Sequence, residues 1–251
     1  MRLERHYCRQ SPIFRGLALG SGLALLGTIC LIWSTAASII HQFPASEQKM
    51  LLGRRAISWF FGAYLEILMK LRWLSIHYEG FEDLPRNEAC LLAPNHPSLL
   101  DAVLILSHFP EACCVLKSSL LKNPLFRGGA KLAGYISNRH TRSMIQQATQ
   151  EICSGHPVLM FPEGTRSESG NLSELKLSPF MIATRANCDV QTILIDVESN
   201  FLGKKWSMLS IPKLPVRIRV RLGRRFSSGQ GARDLAAEIE QYYRTRLAQN
   251  I

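Results

Sequence analysis

The chain has 251 residues, enough for one domain with a full core and a membrane segment besides. Its 30 Lys and Arg against 19 Asp and Glu give a formal net charge of +11, which calls for anionic partners. Zinc-finger spacing, basic–aromatic interleaving and other nucleic-acid motifs are absent, so the reading is an anionic membrane surface and no nucleic acid.

In chain order, the first element is an uncharged run from Gly16 to Ile40, long enough for a spanning helix. Gly16, Gly20, Gly22 and Gly27 would permit close helix packing. Arg2, Arg5, Arg9 and Arg15 precede it, and Lys49, Arg54 and Arg55 follow. With both flanks basic, a single span and a re-entrant hairpin both remain open. The run exceeds a signal-peptide core, although Ala36-Ala37-Ser38 mimics a cleavage site. Residues 1–55 therefore read as a membrane anchor and its flank. Ala56 to Met69, with Trp59, Phe60, Phe61 and Tyr64, reads as an interfacial helix or a core helix within a segment 56–78. The remainder, 79–251, reads as one globular domain.

That remainder alternates strands and helices. Apolar runs at Ala89–Ala93, Ala112–Leu116, Pro157–Phe161 and Thr192–Val197 read as buried strands. Helices are expected at Ser98–His108, Arg142–Ser154, Pro179–Ala186 and Ala232–Leu247. Val216 to Leu222 alternates strictly, as a half-buried strand does, with Arg217, Arg219 and Arg221 in an exposed row. The expected fold class is α/β: a mixed, largely parallel central sheet flanked by helices, with an N-terminal membrane helix. Seven scattered cysteines, odd in number and without a Cys-x2-Cys pair, support neither a disulfide framework nor a zinc site.

Two polar clusters carry the chemistry. Asn95-His96-Pro97-Ser98-Leu99-Leu100-Asp101 sets an imidazole and a carboxylate five positions apart at a strand-to-helix junction, with Asp101 about one turn inside the helix. The carboxylate can fix the tautomer and leave the other ring nitrogen free to take a proton. Phe161-Pro162-Glu163-Gly164-Thr165-Arg166-Ser167 supplies an acid, a glycine turn, a hydroxyl and a guanidinium. The other histidines have no carboxylate so spaced and read as ordinary core or surface residues.

These two clusters, in this order, resemble the blocks of the glycerolipid acyltransferases of the 1-acylglycerol-3-phosphate acyltransferase type. Gly134-Tyr135-Ile136-Ser137-Asn138-Arg139 is similar to that family's intermediate block, and Lys117 falls where the family commonly carries a lysine. The resemblance runs from about Glu79 to Glu198. It implies that His96 is a general base oriented by Asp101, and that the acceptor hydroxyl attacks an acyl thioester on coenzyme A or acyl carrier protein. Backbone amides near Gly164 are candidate oxyanion donors. Arg139 and Arg166 would bind acceptor phosphate. Glu163 and Thr165 would position glycerol hydroxyls or the arginines, and Gly164, Lys117 and Lys176 complete the substrate-binding set. No metal or cofactor is required. The implied location is the cytoplasmic side of a membrane, the inner membrane of a bacterium.

Two departures from the family pattern leave the acceptor open. Lys176 is followed by Leu177-Ser178-Pro179 where the family often has Lys-Gly. Val190-Gln191-Thr192-Ile193-Leu194-Ile195-Asp196 carries polar residues where its fourth block has prolines. Another lysolipid acceptor, such as a lyso-aminolipid or other lysophospholipid, is the enzymatic alternative. A lipid-binding membrane protein of the same fold and a hydrolase are the others.

Overall fold

The computed structural model describes residues 11–44, 46–82, 88–167, 172–198, 201–207 and 210–248. Arg2, Arg5, Arg9, His6 and Cys8 lie outside the described residues. Its strands are β1 (Leu74–Glu79), β2 (Leu91–Pro94), β3 (Cys113–Leu116), β4 (Ile136–Ser137), β5 (Val158–Leu159), β6 (Val190–Val197) and β7 (Val216–Phe226). Its helices are α1 (Pro12–Ile40), α2 (Glu47–Lys70), α3 (Asp101–Leu106), α4 (Pro124–Leu132), α5 (Thr141–Cys153), α6 (Leu177–Ala186) and α7 (Ala232–Ala248). The strands form one sheet in the order β1-β7-β6-β2-β5-β3-β4. Among the described residues only β6 and β7 pair antiparallel; the other pairs are parallel.

Alternation along the strands splits the core in two. Leu92, Ile193, Ile195, Val216, Ile218 and Val220 join α1, α2 and α3 on one face. Leu91, Ala93, Val190, Leu194 and Phe226 join α5, α6 and α7 on the other. The arginine row lies on β7, where Arg221 pairs with Asp196 at 2.8 Å and Arg219 approaches Glu79 at 3.6 Å. The polar residues of β6 serve a bulge against β7 between Gln191 and Ile193. Gln191 Nε2 donates to Gly223 O at 2.8 Å and Thr192 Oγ1 to Arg224 O at 2.6 Å. Both are buried within the sheet, so they satisfy irregular backbone rather than line a pocket.

The N-terminal helix is long and apolar enough to cross a membrane, and it also packs on the domain. Ser11 caps α1 by accepting from Phe14 N at 3.2 Å, and Pro12 opens the helix. Ala18, Gly22, Cys30, Ser34 and Ala37 are buried along its whole length. Its closest approach is made by glycines of α4, not by its own. A Cβ on Gly128 would lie 1.9 Å from Ser34 O, and one on Gly129 2.8 Å from the Trp33 ring. By contrast, Gly20 and Gly27 face open space. Ser34 Oγ completes the joint, donating to Pro124 O at 2.7 Å and accepting from Gly128 N at 2.8 Å.

Helix α2 starts earlier than its aromatic run, at a Ser46 cap, and runs unbroken through residues 55 and 56. It is both core and surface: Ile57, Tyr64, Leu65 and Leu68 are buried, while Leu52, Trp59 and Ile67 are exposed. Arg54, expected as a flanking charge, is buried. Its Nε donates to Ala133 O at 2.9 Å, its Nη1 to Glu111 O at 3.2 Å and its Nη2 to Glu151 at 2.9 Å. His156 sits 3.5 Å from the same carboxylate. Removing one partner of a buried ion pair strands the other and several carbonyls. Arg54→Ala is therefore expected to lower unfolding free energy by about 3 kcal/mol. Denaturant titration in detergent measures it; a change under about 1 kcal/mol would show that the network stabilises little.

Three elements went unread in the sequence: β1, α4 and the two-residue β4. Strand β1 follows directly on the α2 pattern, and its Leu-Ser-Ile-His-Tyr-Glu alternation is only six residues long. Helix α4 contains Gly128 and Gly129, poor helix formers that are there to admit α1.

Candidate active site

The expected site residues gather at the carboxyl ends of β2, β3, β4 and β5, the end of a parallel sheet where ligands usually bind. Strand β2 ends at Pro94, and its exit is pinned twice. The Asn95 carboxamide copies a backbone pairing, donating from Nδ2 to Ile195 O at 2.9 Å and accepting from Ile195 N at 2.7 Å. Behind it, the Tyr243 hydroxyl of α7 donates to Ala93 O and accepts from Ile193 N at 3.4 Å. The hydroxyl thus sits between β2 and β6 two residues before Asn95. Leu235, Ile239 and Tyr243 make an i, i+4, i+8 buried stripe, which marks Tyr243 as core but not its hydrogen bonds.

His96 Nδ1 lies 2.8 Å from Asp101 Oδ2. A carboxylate there accepts from Nδ1–H and leaves Nε2 as the basic nitrogen. The imidazole is stacked on Phe161, centroids 3.9 Å apart, and is 20% exposed; Asp101 is fully buried. Oδ2 also accepts from Ser98 N at 2.8 Å, while Oδ1 has no partner. Burial pushes the Asp101 carboxyl up to about 6, against the opposing pull of His96. Asp101 is the first residue of α3 rather than one turn inside it. The Asp101–Ser98 bond and the Ser98 Oγ bond to Leu100 N hold residues 98–100 in a turn before the helix starts.

Glu163 is turned inward, 1% exposed. Its Oε1 accepts from His96 N at 2.8 Å and its Oε2 from Ser173 N at 2.9 Å. Ser167 N donates to His96 O at 2.8 Å, so the second cluster grips the His96 backbone on both sides. Both carboxylate oxygens of Glu163 are thus engaged by backbone amides, one of them that of His96. Gly164 turns at φ +68°, and its N–H is spent on Phe161 O at 3.1 Å, so that amide is not an open oxyanion donor. Thr165 is exposed. Arg166 is half-buried, with Nη1 donating to Leu202 O at 2.8 Å and Gly203 O at 3.0 Å.

The remaining cations are exposed on neighbouring loops. Asn138 Oδ1 accepts from Ser118 N at 3.0 Å, which joins the Lys117 and Arg139 segments. Lys176 N donates to Pro162 O at 2.8 Å, and its side chain passes beside Gly164. A narrow, partly open apolar cleft with a cavity volume of about 30 Å³ lies between α1, α2 and the domain. Its walls include Leu19, Leu23, Tyr64, Leu100, Phe201 and Leu202.

The Acyltransferase family model matches residues 75–196, a stretch holding His96, Asp101, Lys117, Arg139, Glu163, Gly164, Thr165, Arg166 and Lys176. Human 1-acyl-sn-glycerol-3-phosphate acyltransferase beta is 24% identical over 88% of this chain and 80% of its own length. The lyso-ornithine lipid O-acyltransferase of Rhizobium meliloti (strain 1021) is 30% identical over 46% of this chain and 41% of its own length. The aligned part is only 36% of the chloroplastic relative BAT2 of Brassica napus. The crystal structure of the LPA acyltransferase PlsC from Thermotoga maritima shares the fold, with a TM-score of 0.74 at 18% identity, covering 95% of this chain and 97% of that one.

Proposed function

Because residues 75–196 match the Acyltransferase family model, we propose that the chain moves a fatty acyl group from an acyl thioester to the hydroxyl of a lysophosphatidic-acid-like acceptor. The observation that carries this reading is the fully buried Asp101 held 2.8 Å from His96 Nδ1. In this reading Nε2 takes the acceptor proton and the oxygen attacks the thioester carbonyl. The tetrahedral oxyanion collapses, the C–S bond breaks, and the departing thiolate takes the proton from His96. The enzyme forms no acyl intermediate of its own. Positioned base catalysis of this kind contributes about 10²–10⁴ in rate.

The substrates are amphiphiles, and the surface suits them. Ile13, Leu17, Leu31 and Ile32 of α1 and Trp59 of α2 are exposed, as is Leu99 at 52% inside the His96 loop. In this reading α1 and α2 rest in the membrane interface, and the catalytic loop dips beside them. An α1 docked along its full length on the domain favours that arrangement over a lone span. The apolar cleft reaches Leu100 beside Asp101 and, at about 30 Å³, must widen between α1 and α2 to admit an acyl chain. The cytoplasmic face, where acyl-CoA and acyl carrier protein are found, is the side this chemistry needs.

A phosphate-free lyso-aminolipid is the second reading of the acceptor. It is favoured by the backbone bonds that already engage Arg166 and by the 30% identity to the lyso-ornithine lipid enzyme. The experiment is acyl transfer by purified protein from labelled acyl-CoA and acyl carrier protein to a panel of lysolipids. Phosphatidic acid as the main product supports the first reading, and acylation confined to the aminolipid supports the second. Fatty acid released without acceptor would replace both with hydrolysis.

A further inference from the structure

Positive charge is unevenly spread over this chain. Residues 112–150 contain no Asp or Glu, yet they hold Lys117, Lys122, Arg127, Lys131, Arg139 and Arg142. All six are exposed, and among the described residues none is in an ion pair. The carboxylates at the two ends of the stretch are committed to α2, Glu111 to Arg55 at 2.5 Å and Glu151 to Arg54 at 2.9 Å. On β7 and α7, by contrast, Arg224 pairs with Glu238 at 3.0 Å and Arg244 with Glu240 at 2.7 Å. Lys117 and Arg139 belong to the loops beside the site, joined by the Asn138–Ser118 bond. Lys122, Arg127 and Lys131 lie apart from them, on the turn before α4 and on α4 itself.

Helix α4 is keyed into α1. Gly128 faces Ser34 and Ser38, and Gly129 faces the Trp33 ring. Residues three apart are neighbours on a helix surface. Lys131 therefore neighbours Gly128, and Leu31 neighbours Ser34, on the two sides of one joint. Leu31 is 48% exposed, and Ile32 and Ile39 of the same helix are exposed with it. A basic helix without counter-charge is thus fixed against an exposed apolar one. That pairing suits an anionic bilayer, whose boundary takes the apolar residues while its phosphates meet the cations. A soluble acidic partner would leave Leu31, Ile32 and Ile39 in water.

We propose that Lys122, Arg127 and Lys131 form a contact for anionic phospholipid headgroups, separate from the cations beside His96. The contact seats the enzyme by charge on the membrane against which α1 lies. This rests on the reading that α1 and α2 rest in the membrane interface. Three cations near an anionic surface strengthen attachment by about 10²-fold, and salt weakens the effect.

The test offers the full chain neutral phosphatidylcholine vesicles and vesicles containing phosphatidylglycerol in one sample, and separates them by flotation. Wild type is compared with Lys122→Gln/Arg127→Gln/Lys131→Gln and with Arg185→Gln/Arg217→Gln/Arg219→Gln. The second triple removes the same charge from exposed positions on the sheet face opposite α1. Wild type and the second triple are expected to favour the charged vesicles by about 10²-fold at low salt, and the first triple by less than about fivefold. No preference in wild type, or equal loss in both triples, overturns the proposal. So does a tenfold rise in KM for acyl carrier protein in the first triple with its vesicle preference intact, which would give the basic face to a soluble acidic carrier. The vesicle distribution needs no turnover, so it decides even if the acyl-transfer reading fails.

Discussion

Asp101→Asn is expected to lower kcat by about 10³–10⁴ while leaving the folded protein at least as stable as wild type. The activity loss follows from the tautomer. A carboxylate accepts from His96 Nδ1–H and stabilises the imidazolium that forms when Nε2 takes a proton. An amide facing Nδ1 with its NH2 places the ring proton on Nε2, where it blocks the base. The stability gain follows from burial. The Asp101 carboxyl stands at about 6 in the folded chain against 3.8 for an ordinary aspartate. The folded state therefore binds this proton more tightly than the unfolded state. Its contribution is fully present below about pH 4 and is lost as pH rises through about 6. At neutral pH the buried charge costs about 3 kcal/mol, which Asn avoids, less the Ser98 N bond, since one oxygen of Asp101 takes both the His96 and the Ser98 bonds and the NH2 replaces it. Steady-state kinetics and denaturant titration on the same preparations check both halves. A variant that is inactive because it has lost several kcal/mol would show that Asp101 holds the fold rather than the base. Wild-type activity is expected to fall below about pH 6, where Asp101 protonates and releases the ring.

Gly128→Val is expected to be the most damaging change remote from His96. The added carbon meets Ser34 O at 1.9 Å, a backbone carbonyl of helix α1 that cannot swing aside, and Ser38 Oγ at 2.4 Å. The two helices must part, and the Ser34 bonds to Pro124 O and Gly128 N are lost with them. Overpacking of this severity costs about 3 kcal/mol or more. It should also lower transferase activity, because Ala18, Leu19, Gly22 and Leu23 of α1 form one side of the apolar cleft. Gly27→Ala on the same helix is the control. It meets nothing within 4 Å and should be neutral or gain a few tenths of a kcal/mol from helix propensity. A thermal melt in detergent separates them. Equal melting of Gly128→Val and wild type would show that α1 leaves the domain at little cost, as a free-standing span does.

The sequence carried the chemistry further than it carried the support around it. The His96–Asp101 pair was legible because its spacing and its place at a strand end are local facts, and the structure sets them 2.8 Å apart. The α/β alternation was legible for the same reason, since four apolar runs became β2, β3, β5 and β6. What escaped was long-range. An acid followed by a glycine turn reads the same whether its oxygens face substrate or, as for Glu163, the amide of His96 67 residues earlier. Arg54 reads as a membrane flank until Ala133, Glu111 and Glu151 fold around it. An uncharged run such as Gly16 to Ile40 suits a span or a docked helix equally. The difference lies in Gly128 and Gly129, some ninety residues away in the chain.

The central claim is that His96 is the base of an acyl transfer onto a lysolipid. It is tested most directly by single-turnover transfer of a labelled acyl chain to lysophosphatidic acid, comparing wild type with His96→Ala. The expected result is phosphatidic acid from wild type and a rate lower by about 10²–10⁴ from the variant, with both proteins melting alike. Equal rates from the two would contradict the account by removing His96 from the mechanism.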